Sequence, residues 1–218
     1  MGEQEQAPGG PPGGLALAPD TGKKFEKAGE SLDAVRAQEH SRAVDNAVRS
    51  PEMNNMFPNV QNMTARKEIV EAAVEAKKTG DDGLFNRRME QYAPDQVGKV
   101  SWEQIANPYY EQLRLIQEKR ANEAAKRGDQ EGLKAGTKDV RETIKTQKEL
   151  GDERTIHQME QESLYRIGED LNDTQRADML NAALAVGFSA AAVYAVGAAW
   201  IEAGEAGVME MESPVDSQ

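Results

Sequence analysis

Residues 179–201 read MLNAALAVGFSAAAVYAVGAAWI, an uninterrupted uncharged run of 23 residues between Asp178 and Glu202. As one α-helix rising about 1.5 Å per residue it would extend roughly 35 Å, and a hydrocarbon core is about 30 Å thick. A single hydrophobic helix, long enough to span a bilayer, is therefore the first expectation. The composition weakens the drive to insert: nine of the 23 residues are Ala, two are Gly, and Asn181 and Ser189 are polar, so little transfer energy comes from large side chains. Ala183, Gly187, Ala191 and Ala195 recur at four-residue spacing and predict one stripe on which another helix backbone can approach closely. Tyr194 and Trp200 are placed to sit toward a membrane interface. The competing reading is a buried helix packed in a bundle or between subunits.

Charge extends this reading. The chain carries 26 basic and 38 acidic residues, a net charge of -12. Such a balance argues against binding a phosphate backbone, which depends on Lys and Arg, so nucleic acid is not an expected partner. No Lys or Arg follows Arg176, and every charge after residue 201 is acidic. If the run spans a membrane, residues before 179 are expected on the cytoplasmic face, with the 202–218 tail translocated. The opening MGEQEQAPGG has neither a basic n-region nor an apolar h-region, so no ordinary export signal is expected. Gln6 stands where a myristoylation motif wants Ser or Thr.

Outside this run the chain is rich in alanine and poor in large apolar residues. Ala supplies 30 residues, whereas Leu, Ile, Val and Phe together supply 37 of 218, a level associated with weak cores. Residues 1–22 hold six Gly and four Pro and predict a flexible leader. Residues 23–178 predict a polar helical region. A first helix over 23–49 ends before Ser50-Pro51, and PEMNNMFPNVQNM at 51–63 reads as an irregular connector whose Met53, Met56, Phe57 and Met63 pack on a neighbour. Thr64 is the expected cap of a helix ending at Gly80, and Leu84, Phe85, Met89 and Tyr92 mark a short helix before Pro94. Ser101 and Gln104 have capping-box spacing for a turn, with a longer helix expected to start at Asn107-Pro108 and run toward Gly128. Thr137 is the expected cap of a helix ending at Gly151, another follows around Ile156, Met159, Leu164 and Ile167, and Asp173 is expected to cap the helix leading into the apolar run. No alternating β-branched run bounded by turns is present. The expected fold is all-α: elongated or loosely packed helices, a flexible N-terminal leader and one C-terminal Ala/Gly-rich hydrophobic helix.

The chemistry-bearing residues are sparse. There is no Cys and there are two His, which removes disulfides, thiolate metal sites and cysteine nucleophiles. His40 and His157 have no second ligand at metal spacing and are expected as exposed helix residues. The carboxylates are interleaved with Lys at helical spacing and read as solvated charge. Arg127-Gly128-Asp129 matches a cell-adhesion tripeptide, but it falls where a helix C-terminus calls for Gly. No phosphate-cradling Gly loop, dinucleotide fingerprint or nucleophile elbow occurs. No catalytic residue, cofactor, metal or small-molecule substrate is expected.

In layout the chain is similar to proteins ejected from phage particles and to translocators of bacterial secretion systems: a flexible leader, an acidic helical body and one apolar helix. The likeness is compositional and transfers no functional residue. The expectation is thus a non-enzymatic helical assembly protein with a membrane-inserting segment, membrane-associated or packaged in a particle. Its expected partners are copies of itself, other protein subunits and a lipid bilayer. The alternative is a soluble structural or scaffolding protein of a particle, with the 179–201 helix buried between subunits.

Overall fold

The computed structural model describes residues 20–211, and among these the regular structure is helical throughout. The expected 1–22 leader lies almost wholly outside the described residues, as does the end of the acidic tail. The chain divides into two units, 1–38 and 39–218. In the first, the described residues are the opening turns of helix α1 (Asp20–Ala47), where Arg36 and Asp33 form an i, i+3 ion pair at 4.0 Å. The second unit holds the end of α1 and helices α2 (Pro51–Met56), α3 (Met63–Thr79), α4 (Gly83–Tyr92), α5 (Trp102–Lys126), α6 (Gln130–Glu149), α7 (Ile156–Ile167), α8 (Asp173–Ala185) and α9 (Ala190–Met211).

Two apolar clusters organise this second unit, and α5 runs through both. Ile105, Ala106, Tyr109 and Tyr110 of α5 join the end of α1 and helices α2 to α4 in the first cluster. Ala121, Ala124 and Ala125 join α6 to α9 in the second. The scarcity of large apolar residues is met by alanine: Ala43, Ala47, Ala73, Ala106, Ala121 and Ala124 are wholly buried. Small side chains let helix axes approach closely, so dispersion contacts replace bulk. The closest example is Gly136 on α6, where a Cβ would lie 3.1 Å from both Cα and Cβ of Ala121 on α5.

Several helix boundaries differ from those expected. The capping box at Ser101 and Gln104 is present and starts α5 itself, so Pro108 lies inside the helix and Asn107 is not its cap. Burial of Ile105 and Ala106 outweighs the one backbone hydrogen bond that Pro108 cannot donate. Asn62 rather than Thr64 caps α3, its Oδ1 accepting from the Thr64 and Ala65 amides. Asp129 caps α6, which places Thr137 mid-helix, its hydroxyl donating to the Leu133 carbonyl at 2.7 Å. Asn172, boxed with Gln175, caps α8 one residue before Asp173. The connector is partly ordered as α2, with Met53 and Phe57 buried.

The largest correction concerns residues 179–201, which do not form one helix. α8 ends at Ala185, α9 begins at Ala190, and no described helix is long and apolar enough to cross a membrane. Gly187 adopts φ 91°, the Phe188 amide bonds the Ala183 carbonyl at 3.0 Å, and the Gly187 amide bonds that of Leu184 at 3.0 Å. This is a Schellman ending, with Gly at the left-handed position and an apolar residue after it. Ser189 then opens α9, its Oγ accepting from the Ala192 amide at 3.3 Å. The helix continues past Ile201, through Glu202, to Met211, so the acidic tail does not begin a separate segment at 202.

Candidate functional site

Along α5 the buried positions recur at helical spacing, and between Tyr110 and Ala121 they are filled by Arg114, Gln117 and Glu118. One turn of the core-facing stripe is thus polar, separating the two apolar clusters. Arg114 is fully buried. Its Nη2 donates to both oxygens of Glu111 at 2.8 and 2.9 Å, and its Nη1 lies 3.3 Å from Ser163 Oγ and 3.9 Å from Glu118. Ser163 Oγ donates to Glu118 Oε1 at 2.5 Å, and Arg166 Nε donates to Glu118 Oε2 at 2.6 Å. α6 joins through Gln147, which donates to Glu111 at 2.7 Å, and Thr143, whose hydroxyl donates to Gln117 at 2.8 Å. Arg154, in the loop before α7, closes the layer on Asp152, Glu111 and Glu162 at 2.7, 3.0 and 3.0 Å.

The charges in this layer are not the solvated charges expected from sequence. Burial pushes the Glu118 carboxyl above its ordinary value, against the opposing pull of Arg166, Ser163 and Arg114. Burial acts in the same sense on Glu111, but there Arg114, Gln147 and Arg154 prevail and hold it below. Asp152 is held low, chiefly by its hydrogen bonds from Arg154. Chemically the layer binds three helices to one another, with each buried charge facing an opposite one.

Outside this layer another buried carboxylate, Glu160 on α7, faces the start of α9. Its Oε2 accepts from the Ser189 amide at 3.0 Å and from Ser189 Oγ at 2.6 Å. Placing an anion at the positive end of α9 fixes the helix where the apolar run breaks. Among the described residues no group of three or more His, Cys, Asp or Glu could hold a metal ion.

The expected packing residues are divided by this turn. Ala183 is buried in the second cluster, and Gly187 occupies the turn. Ala191, Ala195 and Tyr194 lie on the outer face of α9, where Tyr194 is 71% exposed. Ala183, Gly187, Ala191 and Ala195 therefore do not make one stripe. Trp200 is half-buried, meeting Tyr165 edge-on at 5.9 Å with the Arg176 guanidinium 4.9 Å from its ring centre. The inner face of α9, carrying Ala192, Val193 and Val196, belongs to the core. Its outer face carries Ala191, Tyr194, Ala195, Ala198 and Ile201, exposed and uncharged.

His40 also departs from expectation. It is half-buried, its Nδ1 is 2.7 Å from the hydroxyl of buried Tyr109, and the rings meet edge-on at 5.4 Å. Burial, then Lys78, lower its pKa, and Glu71 opposes them. A histidine held neutral in the fold contributes stability that is full above the unfolded value of about 6.5 and is lost as pH falls through the lower folded value. Melting temperature is expected to fall between pH 7 and 5 more steeply in the native chain than in a His40→Gln variant. Equal slopes in the native chain and the variant would refute the assignment.

No known protein family, curated protein or solved structure matches this chain.

Proposed function

We propose that this chain is a non-enzymatic helical structural protein of a larger assembly, and that the outer face of α9 is its contact surface for protein subunits. The observation that carries the reading is the two-sidedness of α9. One side packs in the second cluster, while the other exposes Tyr194 at 71% and Ile201 at 65% beside Ala191, Ala195 and Ala198. An apolar helix face with small residues at its centre suits close packing against another protein surface. The rest of the molecule supports a building role: its buried charges are spent on joining helices, and α9 is anchored at its start by Glu160.

Bilayer insertion is the rival, favoured by the 23-residue uncharged run. It would require α9 to leave the core and Gly187 to give up its turn. Sedimentation velocity, paired with liposome flotation at low and high salt, separates the readings. The expected result is a discrete oligomer that stays at the bottom of the gradient and becomes monomeric on Tyr194→Glu. Flotation at both salts that Ala191→Arg abolishes would replace the proposal with the membrane-inserting reading. A monomer that does not float would refute both.

A further inference from the structure

We infer that the acidic end of α9 docks on a basic stripe of α6 in a second copy of this chain, so that copies join head to tail. The inference rests on the assembly reading above and adds where on the neighbouring subunit α9 lands.

The stripe is laid out by the sequence of α6. Its five basic residues, Lys134, Lys138, Arg141, Lys145 and Lys148, recur at alternating steps of four and three, which places them on one face of the helix. The four lysines are exposed, and Arg141 is half-buried over the Gly187 turn. Like charges at this spacing repel, so the stripe weakens α6 until an anion meets it. The chain itself answers little of this charge. Lys134 and Lys138 reach Glu131 and Glu142 only at 3.9 and 3.8 Å on the solvent side, and exposed pairs of this kind contribute little. Lys148 is held by the carbonyls of Asp152 and Arg154, which leave its charge uncancelled, and neighbouring Glu149 is turned away to Lys77. Arg141 and Lys145 have no ion-pair partner among the described residues.

The complementary charge is carried by the other end of the second unit. From residue 202 onward the chain has five acids and no base, Glu202, Glu205, Glu210, Glu212 and Asp216, spread over a length of sequence equal to that of the stripe. The first three belong to α9, which packs on α7 and α8. Ser189 meets Glu160 in the first half of α7 and Trp200 meets Gly168 just after α7 ends, so α9 runs on beyond α7 toward Met211. Ile201, Glu202 and Ala203 are accordingly exposed. An acidic helix end leaving its own bundle and a basic helix face left unneutralised fit each other between copies. The surroundings of the stripe favour this occupant over a phosphate backbone. Leu184, 39% exposed, precedes the Gly187 turn on which Arg141 lies, and α9 brings Tyr194 and Ile201 to cover it. Because the helix end and the stripe are different surfaces, the contact is heterologous, and a discrete oligomer built from it is a ring.

Charge reversal in the full-length chain, followed by sedimentation velocity, tests the pairing. Lys138→Glu with Lys145→Glu, and separately Glu202→Lys with Glu205→Lys, should each weaken association roughly tenfold or more, and high salt should weaken it in the native chain. Mixed 1:1, the two variants should associate with each other, since one keeps its acidic helix end and the other its stripe. Lys119→Glu with Lys126→Glu on α5 changes the net charge as much as the stripe reversal does and should leave association intact, which separates docking from general repulsion. Loss with each reversal but no association in the mixture would overturn the docking. An oligomer that neither reversal changes, but that Tyr194→Glu dissociates, would overturn the docking on α6 and leave the assembly role of α9 standing. An oligomer indifferent to all three would overturn both. A monomer that floats with anionic vesicles only while the stripe is intact would give the stripe a lipid partner and overturn docking between copies.

Discussion

Replacing Arg114 by methionine is expected to destabilise the chain by about 3–5 kcal/mol, the usual consequence of removing one partner of a buried charge pair. Methionine fills much of the space of the arginine stem, so a cavity is not the main cost. The cost lies in what remains: Glu118, almost wholly buried and already pushed up by burial, loses a cation, and Glu111 loses its bidentate partner. The pH dependence gives the prediction its signature. A carboxyl whose folded pKa lies above its unfolded value favours the folded state once protonated. Its contribution is full below the unfolded value and is lost as pH rises through the folded one. In Arg114→Met the Glu118 value rises further, so the variant should recover part of its deficit as pH is lowered from 8 toward 6. The double variant Arg114→Met, Glu118→Leu should be more stable than Arg114→Met alone at pH 8, because the buried charge is gone. Urea unfolding at the two pH values checks all three statements. A loss below about 1 kcal/mol, or one unchanged by pH, would mean that the layer is solvated.

The all-helical class was legible because the chain alternates cap, periodic stretch and glycine. Gly80 and Gly151 have positive φ where helices were expected to end, and Ser101–Gln104 forms the capping box that its spacing announced. Two kinds of feature were misread. The first is the break in 179–201. A glycine followed two residues later by serine is a stop-and-restart signal, and Gly187-Phe188-Ser189 carries it, but length and lack of charge outweighed it. Glu160 on α7, which anchors the start of α9 after the break, is distant in sequence. The second is the polar turn of α5. Arg114, Gln117 and Glu118 extend the stripe of Tyr110 and Ala121 at helical spacing, and a charged residue in such a stripe is a buried-charge signal. What the sequence withholds is the partner, because Ser163 and Arg166 lie on another helix.

The second large effect belongs to Arg66, which turns the connector after α1 into a fixed structure. Its guanidinium is buried and donates to the carbonyls of Val60 at 2.6 Å, Val48 at 3.2 Å and Phe57 at 2.8 Å, and to Asn54 Oδ1 at 2.5 Å. Residues 48–60 therefore wrap one planar group that presents several donors in a fixed fork. Truncation to alanine leaves three backbone carbonyls without this donor in a region where Met53 and Phe57 are buried. Hydrogen bonds to a charged group are worth about 1.5–3 kcal/mol each, and they are not additive within one cluster. The expected loss for Arg66→Ala is about 3–4 kcal/mol, or roughly 6–16 °C in melting temperature for a unit of this size. Arg66→Lys should recover little, since a single ammonium at the end of a flexible stem cannot serve donors spread over the same fork. Hydrogen exchange distinguishes this clamp from a general weakening of the fold. Protection should fall first over 48–60 and the start of α3, while α7 to α9 keep theirs under conditions where the chain remains folded. Uniform loss of protection across both clusters would show instead that Arg66 supports the whole unit.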